Sequence, residues 1–299
     1  LINNHKMKLH DSKTRNIFNK IHIQQIKTKV GFDKIKSLLN EKNLKLKENY
    51  FKDKIVADLG SGSTGAGGLN LLNLGAKYCY LMDLKPHIVK PIKKNLIKFK
   101  NKFEVNIGSL EKLPYKKNFF DFILCQGVIH HMDNDKKAFK EIFRTLKKGG
   151  KALISVYGNG GILNDFTWKI LRPKYKSDPK FKSFIDKILK GKNKKHINFL
   201  TKNYDKKTNK ILEKLNFLFD KDLLLTMADR FTAPKYKTYD EKELRKHLKK
   251  LGFKKIYRIK KEVKFKNIRR FLVPLYYHYD HEVSRMLYGN GIIQIVIEK

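Results

Sequence analysis

Between Lys54 and Lys151 the sequence alternates short, nearly all-apolar runs with helical stretches, and this rhythm constrains the fold more than any other feature. Ile55, Val56 and Ala57 read as a strand buried on both faces, followed by a glycine-rich turn and an apolar helix over 69–74 that Gly75 stops. Residues 78–82 read as a second strand, with Asp83 at its end. Ile88, Ile92, Leu96 and Phe99 then recur at helical spacing, despite Pro91 in the first turns. Strands are expected at 103–107, 119–125 and 152–157, with a helix over 138–146 that Gly149 and Gly150 end. Apolar strands that alternate with helices predict an α/β fold, its parallel sheet covered on both faces.

The rest of the chain has a different texture. Residues 1–53 form a basic extension in which Phe32, Ile35, Leu38 and Leu39 repeat at helical spacing. After the core at 54–157, residues 158–237 carry helix-like segments, such as 181–189 and 211–227, interrupted by basic runs, and read as a helical cap or insertion. Residues 238–299 complete the sheet. Thr238 and Glu241 have the spacing of a capping box, Leu244, Leu248 and Leu251 give a buried face, and Gly252 ends that helix. Strands are expected at 253–259 and 292–297.

Gly60, Gly62 and Gly65 satisfy G-x-G-x-x-G between a strand and a helix. Glycines are needed where the chain turns tightly and a cofactor approaches the backbone, and an acid at the next strand end, Asp83, suits a ribose diol. This pattern alone fits NAD as well as S-adenosylmethionine. Asp58, two residues before Gly60, separates them. A carboxylate there opposes a pyrophosphate, whereas a sulfonium and an α-ammonium favour it. A turn-forming or helix-capping acid is the alternative for Asp58.

Three further blocks carry a resemblance: VNIGSLEKLPYKKNFFDFI, CQGVIHHMDN and FKEIFRTLKKGGKALISV. With the glycine loop they resemble, in the same order, the motifs of class I S-adenosylmethionine-dependent methyltransferases of the ubiquinone and menaquinone biosynthesis type, with a methyltransferase type 11 domain. The resemblance implies a Rossmann-like, seven-stranded, mostly parallel sheet with helices on both faces and a helical insertion after strand five. It implies that Asp58, Gly60, Ser61 and Gly62 hold the methionine part of S-adenosylmethionine, and that Asp83 and Leu84 hold the ribose. Ser109 and Leu110 would lie at the adenine, with Gln126 completing the set. Ser109 departs from the family's usual acid, and a hydroxyl is a weaker acceptor for the adenine amino group. The STGAGG loop also sets its last glycine one position late.

His130 is the candidate catalytic side chain, weighed against a structural role in the loop after strand four. No Cys or acid spacing completes a zinc site around His130 and His131, so no metal is expected. Cys79 and Cys125 fall in apolar strands and read as buried thiols of a reducing compartment, which with the lack of an apolar leader or span predicts a cytoplasmic protein. Trp168, Tyr236 and Tyr239 lie in or beside the insertion as candidates to line a substrate pocket. The net charge of +40 points to a polyanion, yet the 68 basic residues comprise 59 Lys and only 9 Arg. Phosphate and base recognition favours Arg, and diffuse Lys also follows from an AT-rich coding sequence, so the run at 187–195 reads as a solvated face. The expected reaction is methyl transfer to a small-molecule or lipid-like acceptor. The alternatives are an RNA methyltransferase using the basic surface, an NAD-dependent oxidoreductase, and a basic binding protein with a vestigial cofactor fold.

Overall fold

The computed structural model describes residues 35–36, 38–84, 86–189, 221–259 and 279–299. Most of the N-terminal extension, Phe32 included, most of the basic run at 187–195 and the first ten residues of the helix expected at 211–227 lie outside them. Seven strands form one sheet: β1 (Ile55–Leu59), β2 (Tyr78–Asp83), β3 (Phe103–Ile107), β4 (Phe120–Gln126), β5 (Leu146–Tyr157), β6 (Lys255–Arg258) and β7 (Ile292–Glu298). Their order is β3-β2-β1-β4-β5-β7-β6; the first five pair in parallel and β7 runs antiparallel between β5 and β6.

Alternate residues of each strand feed opposite faces, as a doubly covered parallel sheet requires. Val56, Leu81, Phe122, Leu124 and Leu153 face helices α1 (Ala66–Asn73) and α2 (Val89–Asn95), with Leu38, Leu39, Leu44 and Phe51 added from the N-terminal side. Ala57, Leu59, Ile123, Cys125 and Ile154 face α3 (Asp135–Thr145), whose Phe139 and Ile142 join that core. These side chains are almost wholly buried, and each large one contributes roughly 1.5–3 kcal/mol. Both Cys79 and Cys125 are buried free thiols.

After β5 the described residues include α4 (Ile162–Asp165), which runs through a π-helical turn (Phe166–Leu171) into α5 (Arg172–Ser177), and then α6 (Pro179–Leu189) and α7 (Lys221–Thr232). Then come α8 (Glu241–Lys250) and α9 (Glu282–Tyr288). Among the described residues no helix is long and apolar enough to cross a membrane.

Two local expectations are corrected. Helix α3 ends at Thr145, one residue before the expected Leu146, and the Gly149-Gly150 pair lies inside β5 rather than ending the helix, because Leu146 is extended and already pairs with Phe120 across a register shift in β4. The cap of α8 is Asp240, whose carboxylate accepts from Lys242 N and Glu243 N at 2.8 and 3.2 Å. Thr238 and Glu241 form no capping box, since Glu241 occupies the first helical position and its carboxylate meets the buried Arg258 at 2.6 Å.

Candidate functional site

The strand order reverses between β1 and β4, so the loops leaving their carboxyl ends diverge and open the crevice in which such sheets take ligands. Strand β2 holds the turn after β1 in place. Gly60 N and Ser61 N both donate to Met82 O, at 2.7 and 3.1 Å, and Gly62 N donates to Asp83 Oδ2 at 3.0 Å. Gly60 has φ +82°, and a Cβ there would overlap Val128 Cγ2 in the loop after β4. Only glycine meets both demands.

Asp58 shares the face of Val56, which α1 covers. Gly65 stands at the N-cap of α1 and offers no side chain, and Asp58 Oδ2 supplies the missing acceptor at 2.8 Å from Gly68 N. The carboxyl is 4% exposed, and this burial, opposed by the Gly68 bond and reinforced by Asp83, raises its pKa from 3.8 to about 7. The helix-capping alternative thus describes the one hydrogen bond that Asp58 makes among the described residues. A Cβ on Gly67 would come within 2.5 Å of Asp58 Oδ2, so the carboxylate lies directly beneath the helix start.

Asp83 is half-buried, its Oδ1 accepting from Leu84 N at 2.7 Å. Each of its oxygens has one backbone donor and keeps a second lone pair. Gly108 N donates to Asp83 O at 3.0 Å, which brings Ser109 beside the same strand end. Ser109 Oγ accepts from Glu111 N at 3.2 Å, while the Leu110 side chain packs into the core with Met82 and Leu113. Ser61 Oγ, in the turn after β1, and Gln126 Oε1, on the last residue of β4, are buried with no hydrogen-bond partner. Such atoms cost about 1–3 kcal/mol each unless a ligand satisfies them.

The other wall of the crevice consists of side chains. His130 is 2% exposed, and neither ring nitrogen has a hydrogen-bond partner. Its ring lies 4.0 Å from that of Tyr157 and 4.2 Å from that of His131. Burial first, then His131 and Arg230, hold its pKa well below 6.5, so the ring is neutral at pH 7. Tyr157 OH donates to Asp229 Oδ2 at 2.5 Å, and His131 Nε2 lies 3.5 Å from Asp229 Oδ1. Trp168 stacks on Tyr236 at 3.9 Å and lies 5.8 Å from Tyr157. Tyr239 is set apart, buried in the core with its hydroxyl donating to Asp135 Oδ2 at 2.9 Å. Tyr157, Asp229 and Arg230 carried no recognisable motif, since they meet only through the fold. Among the described residues no group of three or more His, Cys, Asp or Glu is placed to hold a metal ion.

Residues 57–154 match the family model described as a methyltransferase domain. Phosphoethanolamine N-methyltransferase 2 of Caenorhabditis elegans is 27% identical over 124 residues, covering 40% of this chain and 28% of the relative. The tRNA U34 carboxymethyltransferase of Campylobacter fetus is 31% identical over 105 residues, covering 34% and 36%. The chain spans about half or less of the leading curated relatives it matches. In three dimensions, a chain from the complex between the Haloferax volcanii Trm112 methyltransferase activator and its methyltransferase superposes with a TM-score of 0.53. It is 12% identical, with 95% of this chain and 96% of that one covered, and shares the fold.

Proposed function

We propose that this chain, whose residues 57–154 form a class I methyltransferase domain, binds S-adenosylmethionine at the strand-order reversal and methylates a small-molecule or lipid-like acceptor. One observation carries the reading: Ser61 Oγ and Gln126 Oε1 stand buried and unpartnered on either side of the crevice, beside an Asp83 with lone pairs to spare. The polar edge of a nucleoside-bearing amino acid would satisfy all three.

When bound, S-adenosylmethionine supplies an electrophilic methyl group, which an acceptor lone pair takes as the carbon–sulfur bond breaks. Such a displacement depends on alignment and on the exclusion of water. Asp83 would orient the ribose through its spare lone pairs, and the backbone at Gly60, Ser61 and Gly62 would seat the methionine part. Leu84, Ser109 and the backbone of Leu110 would border the ribose and adenine. Asp58 would act through the turn from beneath, and in its ionised form, favoured above about pH 7, its charge would favour a sulfonium and oppose a pyrophosphate. The neutral His130 would receive a hydrogen bond from the acceptor's hydroxyl or amine and hold its lone pair in line, with the insertion at 158–237 capping the acceptor. With its pKa held low it serves better as an orienting acceptor than as a strong base.

The charge of +40 and the tRNA-modifying relative support a second reading, in which the acceptor is RNA. Isothermal titration with S-adenosylmethionine, S-adenosylhomocysteine and NAD tests the first. Binding of the two sulfur compounds without NAD is expected; binding of NAD alone would overturn the assignment. Co-purifying nucleic acid whose release depends steeply on salt would favour the RNA acceptor.

A further inference from the structure

Four cations face one cavity of about 370 Å³ between the insertion and the loop after β4: Arg172 and Lys176 from α5, and Lys235 and Lys237 from the segment after α7. The backbone fixes that segment against the histidine loop. Lys237 N donates to His130 O at 2.7 Å, and Lys235 O lies 2.9 Å from His131 Nδ1. Lys235 is paired with Asp133, the acid in the cavity wall. Lys237 Nζ sits 2.9 Å from both oxygens of Asp135, which is not part of the lining.

The other two cations lack such partners. Arg172 is 3% exposed, and its guanidinium donates only to the neutral carbonyls of Arg230 and Ala233 while lying 4.4 Å over the Tyr236 ring. Among the described residues no carboxylate lies within 4.0 Å of Arg172 or Lys176. Burial of the guanidinium outweighs the influence of Asp229, which acts on it only from beyond ion-pair distance, and an anion in the cavity would offset the remaining cost. The desolvation that lowers the pKa of both groups, with Arg172 also acting on Lys176, points the same way.

We infer that this cavity binds a phosphate group, which in the methyl-transfer reading above is carried by the acceptor. With Lys235 held by Asp133 and Lys237 by Asp135, Arg172 and Lys176 are the two cations left to balance, which suits a dianion better than a carboxylate. Both belong to α5 and line the same cavity, which suits a single terminal phosphate of a small molecule better than the repeated phosphates of a nucleic-acid backbone. The ring contacts Tyr236–Trp168, Trp168–Tyr157 and Tyr157–His130 connect the cavity wall to the candidate acceptor-orienting residue.

The test is isothermal titration of the full chain with inorganic phosphate and with glycerol 3-phosphate at constant ionic strength, with S-adenosylmethionine titrated alongside. One saturable site is expected, weakened roughly three- to tenfold by Lys176→Ala and tightened by Asp133→Asn, with S-adenosylmethionine affinity unchanged. Tighter binding of glycerol 3-phosphate identifies a phosphomonoester as the ligand, and tighter binding of inorganic phosphate identifies the free ion; either supports a phosphate site. Absence of saturable binding, or equal affinities in all three proteins, overturns it. So does an oligoribonucleotide that binds with steep salt dependence and is not displaced by phosphate. If the phosphate site behaves as stated while S-adenosylmethionine does not bind, the methyl-transfer reading falls and the phosphate site stands.

Discussion

The two walls of the crevice are built by different means. The wall at β1 and β2 is mostly backbone: Gly60 N, Ser61 N and Gly62 N are tied to the end of β2, and Asp83 adds a carboxylate whose partners are also backbone amides. The wall beyond β4 and β5 is mostly side chains, with His130, His131, Tyr157, Trp168, Asp229 and Tyr236 drawn from three separate stretches of sequence. A backbone wall takes one shape that many ligands sharing a nucleoside can use. A side-chain wall can change residue by residue, and suits the part of the site where acceptors differ.

The largest effect should come from breaking the backbone wall. Gly60→Ala adds a methyl group that overlaps Val128 at a backbone angle of +82°. Overpacking and left-handed strain together are expected to cost about 2–5 kcal/mol in chemical denaturation and to remove S-adenosylmethionine binding. Gly127→Ala is the control. Its φ is +74°, but nothing lies within 4 Å of the added Cβ, so strain alone should cost about 1–2 kcal/mol. Equal losses in the two variants would mean that the close approach to Val128 is immaterial.

Next in size is Asp83→Ala. Calorimetry should find S-adenosylmethionine binding weakened by about 1–3 kcal/mol, the scale of a lost charged hydrogen bond, with phosphate binding unchanged. Unaltered cofactor affinity would remove Asp83 from the ribose. A parallel loss of phosphate binding would mean that the two walls are not independent.

This division also explains what could be read from the sequence. The strands, their order of appearance and the glycine turn follow from local rules: apolar runs, a positive φ, an acid at a strand end. The Thr238–Glu241 pair misled because spacing cannot reveal that Glu241 is drawn away by Arg258, a residue 17 positions on. The Gly149-Gly150 pair expected to end the helix lies inside β5 instead, because Leu146 is claimed by β4, a contact with no local signal. Trp168 and Tyr236 were singled out and stack together, but Tyr239, three residues beyond Tyr236, packs into the core instead. Asp229 and Arg172 acquire their surroundings only when the insertion folds back on the sheet, so no motif could announce them.

Each wall holds a buried group with a shifted pKa, Asp58 under the first and His130 in the second, and the two respond to pH in opposite directions. Asp58 titrates near 7 in the folded chain against 3.8 ordinarily, so the folded state binds more protons between those values and loses stability as pH rises through them. The advantage of Asp58→Asn over the unsubstituted chain should therefore grow from about pH 4 to about pH 7 and then level off. His130 is the reverse. Its folded pKa lies well below 6.5, so the unfolded state takes up the proton first and stability falls as pH drops below about 6.5. His130→Phe keeps a ring against Tyr157 and should flatten that acid limb. Thermal denaturation across pH checks both, and exchanged phenotypes would mean that the groups were assigned to the wrong environments.

The smallest expected effect is the most selective. Tyr157→Phe keeps the ring between His130 and Trp168 and removes only the hydroxyl that donates to Asp229 Oδ2. The variant removes the carboxylate's one hydrogen bond among the described residues and leaves only the approach to His131 at 3.5 Å, but Asp229 is partly open to water, so the stability loss should stay at about 1 kcal/mol. If Tyr157 and Asp229 fix the attitude of His130 toward the acceptor, methyl transfer should slow several-fold while S-adenosylmethionine affinity holds. The backbone wall makes no use of this hydroxyl. A change in cofactor affinity of the same size would therefore show that the side-chain wall shapes the cofactor site as well, and the separation between the two walls would fail at the residue where they come closest to a common role.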